Sequence, residues 1–263
     1  MPDIFVDQLP PRQQRLISLL PRLLPYGLVN RAFLRLTRPS APREAYLASM
    51  RLEVFWLNPQ YLKRNFLHRG VEHIDPAEPY VMTSLHFGQW GMYPASLNQQ
   101  YGIRSQVVAS GRNRLINGNT DHFWYYYGHL KQDLSGYPAA YSTESFYEQV
   151  KRLRNGRSLV VIADVREYGL RQKEVAVDFV GAPFYVQRTV PLLARRAQVR
   201  ILPYIGHYDE KLQKHRVTWF PPLQAEADEQ RTMQRVMAVL EPEFSAHLDH
   251  YFNVLSSHRS AAC

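Results

Sequence analysis

Tyr80-Val81-Met82-Thr83-Ser84-Leu85-His86-Phe87-Gly88-Gln89-Trp90-Gly91 decides how this chain is read. Five or six residues rich in apolar and β-branched side chains predict a buried strand, and glycines after it predict a turn into a helix. The strand would carry a histidine to its C-terminal end, where open α/β sheets gather reacting groups. A hydrogen-bonded core histidine is the commoner fate of a lone His in a strand, so the rest of the chain has to separate the two readings.

Downstream of Tyr80 the pattern alternates strand and helix, the grammar of an α/β domain. Strands are predicted at Tyr80–Leu85, Ser105–Ala109, Ser158–Ala163, Val175–Phe179, Val199–Ile205 and Arg216–Phe220. Helices are predicted at Trp90–Gln100, Arg114–Leu130, Ser142–Arg154 and Thr189–Ala197. Ser142-Thr143-Glu144-Ser145 offers N-cap chemistry with acidic charge in the first turn. Asn155-Gly156 is a helix stop. Proline in Ile201-Leu202-Pro203-Tyr204-Ile205 predicts an edge or bulged strand. A last helix is expected from about Glu226 to Leu255, kinked at Pro242. Residues 1–75 read as a helical cap, with Asn58-Pro59 a break, Gln60–Leu67 a short helix, and residues 68–73 a turn into an edge strand. His68 and His73 are expected to be solvated. The division is thus a single domain over 1–263, with a cap (1–75), an α/β core (76–225) and a C-terminal helix (226–263).

Composition narrows the function classes. Apolar residues make up 45% of 263, enough for a sizeable core. The one cysteine, Cys263, rules out an intrachain disulfide framework or a cysteine-based zinc site, and no other metal-ligand set is expected. A net charge of +9 favours acidic partners. Its arginines suit phosphate and carboxylate recognition through paired hydrogen bonds, and no nucleic-acid module is marked. Leu16 to Val29 is broken by Pro21, Pro25 and Gly27, short of the ~20 apolar residues needed to span a bilayer. Its leucines and Arg12, Arg15 and Arg22 make it amphipathic, fit to pack on the body or lie on an anionic surface.

Several strand ends carry polar groups. Arg112 follows the second strand, where it could hold a phosphate or stand as a solvated charge. Asp164 and Arg166 follow the most apolar strand, and Asp is rarely buried unpaired; a structural salt bridge and a site role are about equally expected. Asp178-Phe179-Val180-Gly181-Ala182-Pro183 reads as a turn closing a strand before a helix. His122 to Tyr127 is too aromatic for one helix face, and Tyr125 and its neighbours could flank a polar ligand.

The order of these pieces resembles the lipid A late acyltransferase (lauroyl/myristoyl) branch of the lysophospholipid acyltransferase superfamily, over roughly residues 75–225. That family's mark, a histidine, four residues and then Asp or Glu, corresponds to His86-Phe87-Gly88-Gln89-Trp90-Gly91. The resemblance continues through Arg112, Leu153-Arg154-Asn155-Gly156, Ala163-Asp164, Phe179 to Pro183 and Leu202-Pro203. It implies a mixed central sheet flanked by helices (glycerolipid acyltransferase-like) with an N-terminal helical cap. It also implies transfer of an acyl group, fatty or aminoacyl, from a carrier-protein or CoA thioester to a hydroxyl or amine, with His86 as general base. The donor substrate would be a phosphopantetheine thioester and no cofactor is needed. An acidic acyl carrier protein or acyl-CoA is the implied partner and an anionic membrane surface a further candidate, without nucleic acid. Substrate contacts fall on Gly88, Trp90, Arg112, Tyr125, Arg166 and Gly181.

Two departures matter. Gly91 stands where the family has its acid, so another carboxylate must orient His86 (Asp164, with Glu144 and Glu167 as alternatives), or the acceptor is an amine needing less help, or catalysis is lost and the chain binds an acylated carrier or lipid. The N-terminal membrane span usual in that branch is not seen, which implies a cytoplasmic protein, soluble or peripheral to the inner membrane.

Overall fold

The computed structural model describes residues 24–53, 56–109, 140–141, 145–164 and 174–251. The predicted helix at Arg114–Leu130 and the aromatic run 122–127 lie outside them, as do Arg112, Tyr125, Glu144, Arg166 and Glu167. The architecture is α/β: a central, mostly parallel sheet with helices on both faces.

Among the described residues the main sheet has seven strands: β1 (Phe66–Arg69), β2 (Tyr80–Ser84), β3 (Ser105–Ala109), β4 (Ala140–Tyr141), β5 (Ser158–Ile162), β8 (Arg200–Asp209) and β9 (Lys214–Trp219). Their spatial order is β1-β9-β8-β2-β5-β3-β4. Every pairing is parallel except the β8–β9 hairpin. β2 and β5 are buried along their whole length, which is why both are rich in apolar residues without a polar face.

Alternation along the strands sorts the core into two layers. Tyr80, Met82, Val160, Ile162, Leu202, Tyr204, Val217 and Trp219 face one side, packed against α1 (Tyr26–Thr37), α3 (Pro59–Asn65) and α4 (Tyr93–Tyr101), which follow and precede α2 (Pro42–Glu53). Val81, Leu159, Val161, Ile201 and Ile205 face the other, against α5 (Phe146–Arg154), α6 (Thr189–Ala197) and α7 (Glu229–Ala246). Local signals set the ends. Ser145 accepts from the Glu148 N–H at the start of α5, and Gly156 follows its end at φ 77°. Asn58 accepts from the Tyr61 N–H, so the Asn-Pro break is an N-cap with proline in the first turn.

Four expectations need correction. Pro203 is on β8, in the middle of the sheet between β2 and β9, rather than on an edge strand. The β8–β9 register ends at Tyr204↔Trp219, and the Pro203 carbonyl accepts from the Phe220 N–H one step beyond. In a strand the N and carbonyl of one residue point the same way, so the missing N–H costs only that terminal rung. Ala182–Gln187 forms a strand (β7) instead of leading directly to a helix. It pairs antiparallel with β6 (Glu174–Phe179) in a separate hairpin, turned by Val180 and Gly181 at φ 54° and 70°, the positive angles of a tight hairpin turn. The helical cap is interrupted by β1, which belongs to the main sheet. The last helix stops at Ala246, because His247 leaves helical backbone at φ −138° and a 3₁₀ turn, Leu248–His250, follows.

A fifth correction concerns charge. His68 is not a solvated group: Trp219 Nε1 donates to its Nδ1 at 2.8 Å, and its Nε2 lies 3.0 Å from Ser96 Oγ. Nδ1 must therefore be the acceptor and Nε2 the donor. Burial pushes the imidazole down to about 4.

Candidate active site

The centre of the site follows from register. β2 and β5 pair in parallel with Ser84 opposite Ile162, and the Ala163 N–H donates to the Ser84 carbonyl beyond the last pair. Continuing both chains by two residues brings His86 and Asp164 side by side. Asp164 Oδ1 accepts the His86 backbone N–H at 2.9 Å and lies 2.8 Å from His86 Nδ1. Asp164 Oδ2 accepts from the Tyr251 hydroxyl at 2.9 Å.

The carboxylate has no solvent exposure, whereas 19% of the His86 side chain is open. Burial alone would push the Asp164 carboxyl up. The charge of His86, its two hydrogen bonds and that of Tyr251 outweigh burial and hold the group below the ordinary range. An ionised Asp164 makes Nδ1 the protonated nitrogen of the neutral imidazole and leaves the basic lone pair on Nε2. Trp90 meets the imidazole edge-on, with centroids 4.8 Å apart. Its carbonyl accepts from the Tyr204 hydroxyl at 3.0 Å, tying the turn to β8.

The turn after His86 is tightly constrained. Gly88 has φ 58°, and a Cβ there would lie 2.0 Å from Tyr93 Oη and 2.4 Å from the Gly206 carbonyl. Its N–H donates to the His250 carbonyl, and Phe87 bridges to Tyr251. The C-terminal segment is thereby laced to the His86 turn, which aims Tyr251 at Asp164. Sequence reasoning missed Tyr251, because residues 248–255 carry no strand or turn signal that marks a strand-end neighbour.

Gly91 provides no acid, but a buried carboxylate does lie behind the turn. Glu53, at the end of α2, accepts from Gln89 Nε2 at 3.0 Å and from Tyr61 Oη at 2.6 Å, and meets His215 Nε2 at 2.6 Å. Burial raises this carboxyl, and the His215 charge and these hydrogen bonds more than reverse it, so it stays ionised. The group holds Gln89 rather than His86. It too escaped sequence analysis, since its members come from α2, α3, the turn and β9.

Of the site residues read from sequence, the structure brings together His86, Asp164 and Trp90, with Gly88 packed into the turn. Gly181 is elsewhere. The hairpin end at Gln187 donates its N–H to the Ala163 carbonyl, beside Asp164. Gly181 lies at the opposite, exposed end, in the turn beyond a strand roughly 17 Å long at about 3.3 Å per residue.

The family model described as bacterial lipid A biosynthesis acyltransferase matches residues 45–259. No curated protein matches the chain. Among solved structures it is similar to the 1-acyl-sn-glycerophosphate (LPA) acyltransferase PlsC from Thermotoga maritima, at 12% identity and a TM-score of 0.44 over 89% of this chain and 98% of that one.

Proposed function

The chain belongs to the bacterial lipid A biosynthesis acyltransferase family, and on that premise we propose that it transfers an acyl group from a thioester donor to a hydroxyl or amine, with His86 as general base and Asp164 as its orienting carboxylate. One observation carries this reading: the partly exposed His86 imidazole against the buried Asp164 carboxylate, which Tyr251 holds from behind. The His86 Nε2 lone pair takes the proton of the acceptor as its oxygen or nitrogen attacks the thioester carbonyl. The imidazolium formed is stabilised by Asp164, and it returns the proton to the departing thiolate. Because Asp164 arrives from the neighbouring strand, the glycine at position 91 does not deprive His86 of a carboxylate.

The donor is a phosphopantetheine thioester, on an acidic carrier protein or on CoA. The net charge of +9 supports such a partner. We further propose contact with an anionic membrane surface. No helix among the described residues is long and apolar enough to cross a membrane. α1 instead exposes Leu28 and Leu36 beside Arg31 and Arg35, apolar and cationic groups on one short helix.

The test is incubation with carrier proteins loaded with fatty or aminoacyl groups, read by intact-protein mass spectrometry for loss of the acyl group. Transfer by the wild type and its loss in His86→Ala are expected. Unchanged transfer in His86→Ala refutes the base role. Stoichiometric carrier binding without turnover establishes the alternative, a degenerate member that holds an acylated carrier or lipid.

A further inference from the structure

On the far side of the Leu248–His250 turn, β8 and α7 bring together three groups the proposed chemistry does not use. His207 stands near the end of β8, Glu243 in the last turn of α7 and His247 one helical turn further on. One donor atom from each lies within 4.8 Å of the other two. His207 Nδ1 and Glu243 Oε2 are 3.6 Å apart, too long for a hydrogen bond. Two ligands of a tetrahedral zinc at about 2.1 Å each sit roughly 3.4 Å apart, so this pair already has nearly the spacing of donors sharing one ion. The His207 and His247 rings lie face to face with centroids 3.7 Å apart.

We propose that His207, Glu243 and His247 form a binding site for a divalent transition-metal ion of the zinc class. Two imidazoles and one carboxylate select such a metal over calcium or magnesium, which take oxygen ligands. The fixed ligand is His207, buried on a central strand. The movable ones are Glu243, in the last turn of α7, and His247, just past its end, both partly exposed. Small side-chain rotations there close the remaining gap. Neighbouring charges are already engaged: Arg216 with Asp209 at 2.7 Å, and His250 Nδ1 with the Tyr208 N–H at 3.4 Å.

The ion's role is structural. It staples the end of α7 to β8 immediately before the turn whose His250 carbonyl receives the Gly88 N–H and whose next residue, Tyr251, reaches Asp164. Metal binding itself does not depend on the acyl-transfer reading.

The experiment uses the full chain in a Cys263→Ser background, stripped with chelator and titrated with Zn²⁺ by calorimetry and with Co²⁺ by visible absorption. One ion per chain, Co²⁺ ligand-field bands of low coordination number and a melting temperature raised by Zn²⁺ are expected. Glu243→Gln and His247→Ala, both at partly exposed positions, should abolish the bands and weaken Zn²⁺ by more than the 10–100-fold (about one to two decades) typical of losing an outer hydrogen-bond partner. Absence of stoichiometric binding overturns the proposal, and so does unaltered binding in both variants.

Discussion

Asp164→Asn tests the reasoning most sharply, because the structure says which way the amide must face. Asp164 Oδ1 accepts two donors from His86, the backbone N–H and Nδ1. An asparagine that turned its NH₂ toward His86 would oppose the backbone N–H, so its oxygen stays there and its NH₂ meets Tyr251, whose hydroxyl rotates to accept. The imidazole tautomer is therefore kept. What disappears is the negative charge beside the imidazolium that forms as the acceptor loses its proton. A unit charge about 4 Å away at an effective dielectric of about 20 is worth roughly 4 kcal/mol, or about 10³ in rate. A serine-protease triad loses about 10⁴ on the same change, because there the tautomer goes wrong as well. The expected outcome is a kcat/KM about 10³ below wild type on an acyl-loaded carrier. Circular dichroism and melting would show an intact fold. Turnover within tenfold of wild type, with His86→Ala inactive in the same assay, would refute the idea that Asp164 stabilises the charged imidazole.

Other substitutions probe the frame around the dyad. Tyr251→Phe removes one hydrogen bond to a buried carboxylate, so chemical denaturation should show a loss of about 1.5–3 kcal/mol. Asp164 is held below its ordinary value, so its contribution is present above the unfolded pKa and lost as pH falls through the folded one; acid unfolding of Tyr251→Phe should begin at higher pH than in wild type. Gly88→Ala puts a Cβ against Tyr93 and the Gly206 carbonyl at a positive φ. Roughly 1–3 kcal/mol for the backbone alone should appear as a lowered melting temperature. Glu53→Gln takes the charge from a buried pair with His215 and should destabilise by about 3–5 kcal/mol, read from urea midpoints. His68 is held near 4 by burial, below the 6.5 of a free imidazole. Its unfolded form binds the extra proton first, so stability falls as pH drops from 6.5 toward 4, and His68→Gln should flatten that part of the stability profile.

The sequence alone determined the α/β class, most strand positions, and the placing of His86 and Asp164 just past the ends of two largely apolar strands. Those features follow from local properties: periodicity, β-branched runs, and cap residues such as Ser145 and Asn155-Gly156. Tertiary structure decided which strand ends meet. Once β5 lies beside β2 with Ser84 opposite Ile162, equal overhangs bring the histidine to the carboxylate, and Gly91 ceases to be decisive. Pro203 shows the limit of local rules: a proline is tolerated in a central strand when its missing N–H falls where one neighbour ends. Tyr251, the Glu53–His215–Gln89 group and the His207–Glu243–His247 cluster each join residues from elements far apart in the chain. Only folding sets those distances, because a polar side chain's partners depend on which surfaces are pressed together, and no periodicity in the chain records that.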